Sequence, residues 1–247
     1  MRWSYGAVVS RALVVGVAVG VLLGAYVSVV VGPTIDAAVR LEEAALGHDL
    51  GHDGEALFTR GQQKSGGVAA SIVFALVVAG VFGTVYAAIR HRIPAASDLA
   101  RASWLAAVGF ASLALVPALA YPASPPGADS GTDTGSRTLR YALCLVGAVV
   151  VAVVLTRLSG ALRNHLPEHT RTVVVAAAGV AAYGLLLVGL PSSPDPAAAL
   201  PADLVWDFRV RSLGALALLW GGIGLGLGWL LDRAASDAPS GTVASSP

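Results

Sequence analysis

Six apolar stretches, nearly free of charge, alternate with polar segments along the chain. Each has roughly the 20 residues that carry a helix across ~30 Å of hydrocarbon. They lie at about Ala12 to Val31, Val68 to Ile89, Ala102 to Tyr121, Tyr141 to Leu158, Thr172 to Leu190 and Val210 to Leu231. Backbone N–H and C=O groups in lipid have no water to pair with, so each stretch must satisfy them internally. The in–out alternation of barrel strands is absent, which leaves the helix. The pattern predicts an all-α protein: one polytopic transmembrane helix bundle over residues 1-233 with about six spans, followed by a short polar tail, 234-247, expected to be disordered. An even number of spans puts both termini on one side. The first stretch is too long for a secretory signal core and runs into Gly32-Pro33-Thr34-Ile35, with no small-residue cleavage site, so it reads as an uncleaved span.

Composition agrees with the pattern. Of the 247 residues 55% are hydrophobic and 13% charged, against about 25% charged in an ordinary soluble domain. The net charge of +1 points to no nucleic acid, and the informative quantity is how charge is shared between loops. Arg90, Arg92 and Arg101 crowd the second loop, Arg157, Arg163 and Arg171 flank the fourth, and Arg2, Arg11 and Arg233 lie at the ends. With Asp98, Glu168, Asp232 and Asp237 subtracted, this side carries +5 and the other −4. The positive-inside rule then places both termini in the cytoplasm. The first extracytoplasmic loop, 32-67, is the longest and most acidic, and Thr34 to Leu46 has a helix-forming composition. The single Cys144 excludes an internal disulfide.

Small residues recur every fourth position. Gly16, Gly20 and Gly24 do so in the first span, Ala75, Ala79, Gly83 and Ala87 in the second, and Gly222/Gly226 with Gly224/Gly228 in the sixth. Such stripes let helix backbones approach closely, inside the bundle or against a second copy or partner subunit, with the rest of the surface left to membrane lipid. No Asp, Glu, Lys or His lies in the middle of a span. An ion crossing here would have to use hydroxyls such as those of Tyr26, Tyr86 and Tyr183, backbone carbonyls, or groups from a partner. There is no phosphate-binding glycine loop and no Ser-His-Asp or Cys-His arrangement, so an enzyme is not expected.

The most suggestive polar cluster is Gly47-His48-Asp49-Leu50-Gly51-His52-Asp53-Gly54-Glu55 in the first outer loop. Two imidazoles, His48 and His52, with the carboxylates of Asp49, Asp53 and Glu55 suit a borderline divalent cation such as cobalt, nickel or zinc. The alternative is a solvated acidic loop. Asp203, Asp207 and Arg211 are successive i,i+4 neighbours entering the sixth span. They can form a charge ladder on one helix face, or Asp203 and Asp207 can receive cations from outside. His165 and His169 are also four apart, but Pro167 and Glu168 between them read as a helix start.

Several polar segments together resemble a known family. Val31-Gly32-Pro33 precedes the acidic helix and histidine loop, and Arg60-Gly61-Gln62-Gln63-Lys64-Ser65-Gly66-Gly67 precedes the second span. Tyr121-Pro122-Ala123-Ser124-Pro125-Pro126 follows the third, and Pro201-Ala202-Asp203-Leu204-Val205-Trp206-Asp207-Phe208-Arg209 opens the sixth. Over most of its length the chain is thereby similar to the CbtA-type predicted cobalt transporter subunits, a bacterial and archaeal membrane family. The resemblance implies a cobalt-uptake component linked to cobalamin synthesis, working with a small single-span partner that carries a histidine motif. Cobalt would then be the transported ion, with no permanently bound cofactor. The rival from another class is a non-transporting membrane scaffold that binds a partner helix through its glycine stripes.

Overall fold

The computed structural model describes residues 3–45, 60–93, 95–128, 134–191, 197 and 200–237. Among these all regular secondary structure consists of helices. In order they are α1 (Tyr5–Tyr26), α2 (Gly32–Ala45), α3 (Arg60–Ile89), α4 (Asp98–Phe110), α5 (Val116–Ala120), α6 (Thr134–Ala161), α7 (Glu168–Gly189) and α8 (Ala202–Ser236). Each of the six apolar stretches lies in a helix long and apolar enough to cross a membrane. The helices exceed the hydrocarbon thickness at several ends. α8 runs on past Arg233 to Ser236, and α1 begins at Tyr5, where the Arg11 guanidinium stacks 4.6 Å from the Trp3 ring and donates to the Ala7 carbonyl. Both contacts let a cation sit at a span end without entering the oil.

Gly32-Pro33 does not end the first helix. Val27–Val31 widens into a π-helical turn, in which the Gly32 N–H reaches back five residues to the Val27 carbonyl, and the helix continues as α2. The third span repeats the device at Ala111–Leu115, where the Val116 N–H donates to Ala111 and Pro117 follows. A proline ring has no N–H and collides with the carbonyl four residues earlier. One extra residue in the preceding turn moves that carbonyl aside and lets the helix pass the proline. In both places the π turn begins six residues before the proline, Val27 before Pro33 and Ala111 before Pro117.

The chain divides into two compact units. The first comprises the chain up to Ala25, Ser65–Ala107 and the segment from Leu218 onward. Here the four-residue stripes are where backbones meet. A Cβ on Gly16 would lie 2.8 Å from that of Ala79, one on Gly20 would lie 2.6 Å from the Ile72 Cα, and one on Gly83 would lie 2.6 Å from the Ala12 Cβ. Gly24 meets Val68 in the same way. On α8, Gly222 and Gly226 receive Val19 and Val15 of α1, while Gly224 and Gly228 abut Ala106 and Leu99 of α4. Two glycine stripes offset by two residues thus let α8 press on two helices at once. Phe82 and Tyr86 stack with ring centres 6.4 Å apart, and Trp220 packs edge-on against Phe82 at the same distance.

The second unit, Tyr26–Lys64 and Val108–Ala217, contains both π turns and the α6–α7 pair. α6 and α7 pack along one another, with Gly147 against Leu186 and Gly179 against Leu155. Their other faces are bare and apolar: Val188 is 87% and Val180 77% exposed. A water-soluble protein rarely leaves such a surface open, and lipid is the solvent that removes its cost.

Candidate functional site

Three groups of described polar side chains bring helices together. In the second unit Pro33, Thr34, Ala37, Arg40 and Leu41 of α2 face Pro201, Asp203, Leu204, Asp207 and Arg211 at the start of α8, lining an open cleft of about 550 Å³. Asp203 stands in the first turn of α8, where a carboxylate complements the helix dipole. The Arg211 Nη2 donates to the Asp207 Oδ2 at 2.7 Å, the i,i+4 pair expected from spacing, with the two side chains 34% and 51% exposed. Its Nη1 donates to the Val30 carbonyl at 3.1 Å. That carbonyl belongs to the first π turn, and the neighbouring Val31 carbonyl accepts from the Thr34 hydroxyl at 2.6 Å. The disturbed ladder before Pro33 is therefore served by side chains. The cleft as a whole carries two guanidinium groups, Arg40 and Arg211, and two carboxylates, Asp203 and Asp207.

A second polar group lies deeper in the same unit. The Ser112 hydroxyl in the π turn of the third span is 2.8 Å from the Tyr183 hydroxyl of α7, which is 3.5 Å from the Ala148 carbonyl of α6. Around it Val116, Cys144 and Ala148 form a closed apolar cluster with Tyr183, Leu186 and Leu190. Tyr26, the residue before the first π turn, puts its hydroxyl 2.5 Å from where a Cβ on Gly214 of α8 would be.

The third is in the first unit and was not foreseen from sequence. Asp232 of α8 accepts from the backbone N–H groups of Asp98 and Leu99, at 2.9 and 3.0 Å, and so caps α4 from another helix. Asp98 in turn accepts from the Tyr86 hydroxyl of α3 at 2.6 Å and lies 3.5 Å from Arg101. Arg101 also donates to the Ile93 and Ala95 carbonyls. Two carboxylates, one phenol and one guanidinium thus pin α3, α4 and α8 together. The capping side chain is 134 positions away in sequence. No local pattern could mark it.

The expected loop ligands His48, Asp49, His52, Asp53 and Glu55 lie outside the described residues. Among the described residues no three His, Cys, Asp or Glu side chains are placed to share a metal ion. His165 ends a short 3₁₀ turn and His169 lies in the first turn of α7, which begins after Pro167 as the sequence indicates.

Six long apolar helices with charge confined to their ends make this a multi-pass integral membrane protein, whose polar cleft stands at the termini of its helices. Residues 6–232, nearly the whole chain, match the family model described as probable cobalt transporter subunit (CbtA). The chain belongs to that family, and as a transporter subunit it works with partner subunits. No curated protein and no solved structure matches it.

Proposed function

We propose that this chain is the membrane subunit of a cobalt(II) uptake system that supplies cobalamin synthesis, with both termini in the cytoplasm and α2 on the outer side. The observation that carries the reading is the family match over residues 6–232. Two features support an outer capture step. The His-Asp segment starts at His48, three residues beyond the end of α2 at Ala45. The same helix lines the cleft that holds Asp203 and Asp207. Imidazole nitrogen and carboxylate oxygen are donors that cobalt(II) accepts. His48 and His52, with Asp49, Asp53 and Glu55, collect the ion, and Asp203 and Asp207 receive it. Hydroxyls and carbonyls such as those of Ser112, Tyr183 and Ala148 offer neutral oxygen further along. A small single-span subunit bearing histidines is the natural donor of ligands that the spans lack.

An imidazole binds metal only when neutral, so acid opposes capture. Uptake should be full above the ordinary imidazole pKa of ~6.5 and fall as pH drops below it. Radiolabelled cobalt uptake into liposomes, with and without the small histidine-bearing subunit, tests the reading. Uptake that needs the chain and drops in His48→Ala/His52→Ala supports it. Uptake indifferent to acid and to both substitutions removes the loop from the pathway, and liposomes that never take up cobalt remove the transport reading.

A further inference from the structure

Arg211 holds two acceptors that do different jobs. One of its terminal nitrogens sits on the Asp207 carboxylate, 2.7 Å away, and the other on the carbonyl of Val30, 3.1 Å away. The carboxylate is on the same helix, one turn back. The carbonyl is in the π turn that Pro33 forces on the first span. A planar guanidinium presents its N–H groups in a fixed fork, so one orientation serves both acceptors. Moving it off one disturbs its bond to the other.

A divalent cation and a guanidinium cannot both occupy the same oxygen of Asp207. Two positive charges on one oxygen repel, and it is Oδ2 of this half-exposed carboxylate that Arg211 holds. The cleft also offers a second cation, Arg40, and a second carboxylate, Asp203, so as it stands its charge is balanced. At the Asp207 Oδ2 an arriving cation therefore gains by exchange, taking the place of a positive charge that is already there.

We propose that Arg211 is a tethered counter-cation, which occupies Asp207 until a divalent ion displaces it and which, once displaced, releases the Val30 carbonyl and loosens the π turn of the first span. This rests on the reading of Asp207 as a cation-receiving group. It adds what that reading lacks: a link from the cleft to the π turn of a membrane span. Arg211 acts here as a positioning residue, since it touches the carbonyl and the carboxylate and not the metal. Its charge also offsets that of one carboxylate lining the cleft.

Calorimetric titration of cobalt chloride into the purified full-length protein tests the exchange. Asp207→Asn identifies the heat that belongs to this site. Arg211→Gln, which keeps a hydrogen-bonding amide but removes the charge, should bind cobalt roughly twofold to fivefold more tightly, the range that the worth of an exposed ion pair converts to. Arg211→Lys keeps the charge and should bind as the unchanged protein does. A substitution that merely damaged the fold would weaken binding, so tighter binding is diagnostic. Hydrogen–deuterium exchange over residues 27–35 gives the second readout. Cobalt should speed exchange there in the unchanged protein, while in Arg211→Gln it should already be fast and no longer respond. Equal cobalt affinity in Arg211→Gln and the unchanged protein, or exchange that ignores cobalt in both, overturns the proposal while leaving the capture reading intact. Absence of any Asp207-dependent heat overturns both.

Discussion

A glycine's worth in this protein depends on which stripe it belongs to. Gly20 faces the backbone of Ile72, with no flexible side-chain end to give way. Gly184 on α7 has open space around it. Gly20→Val should cost about 1–3 kcal/mol by overpacking and lower the melting temperature in detergent by several degrees, whereas Gly184→Ala should leave it level or slightly raised. Equal melting curves for the two variants would contradict the close packing of α1 on α3. Residue by residue, the stripes were legible because spacing by four is a property of one helix. Which neighbour each stripe meets was not, since Gly222/Gly226 and Gly224/Gly228 look alike in sequence yet face α1 and α4 respectively. The Asp232 cap was hidden for the same reason. Asp232→Ala leaves two N–H groups of α4 without their acceptor, which should cost about 1 kcal/mol. Tyr86→Phe removes the phenol's hydrogen bond to the Asp98 carboxylate, and double-mutant thermal melts should show the two losses to be non-additive, as expected of one connected network.

At the level of elements, the spans were readable and one proline, Pro33, was misleading. Lipid demands about 20 apolar residues in succession, and that demand is written plainly in composition. Gly32-Pro33, by contrast, is an ordinary signal for the end of a helix, and it marks a place where the helix widens and goes on. The π turn carries one residue more than an α turn would. In Pro33→Ala the missing N–H is restored and the turn can relax, which would rotate α2 by about 100° relative to α1. Arg40, Thr34 and Leu41 would leave the face that lines the cleft. The expected outcome is a melting temperature that holds or rises while cobalt uptake falls. Uptake at the unchanged rate would mean that the direction of α2 has no part in transport.

For the whole molecule the testable quantity is which end faces which compartment. Cys144 is wholly buried and is the single thiol of the chain, so introduced cysteines can be read against a silent background. With the termini in the cytoplasm, as proposed, a membrane-impermeant maleimide added to intact cells should label Glu42→Cys and spare Ser236→Cys until the cells are opened. Labelling in the reverse order would invert the topology and move the proposed capture step to the wrong face. The loop arginines point to this orientation from sequence because they accumulate at the ends of spans. The loop histidines gave chemistry without position, since a ligand set is defined by where side chains converge.

The shared offset of six residues from each π turn to its proline has an engineering consequence. An extra residue in a helix works like a frameshift: everything downstream turns by one step, and a second change of opposite sense restores the frame. Deleting Val29 together with Pro33→Ala should therefore give an uninterrupted α-helix that still aims Arg40 at the cleft and regains the uptake lost in Pro33→Ala alone.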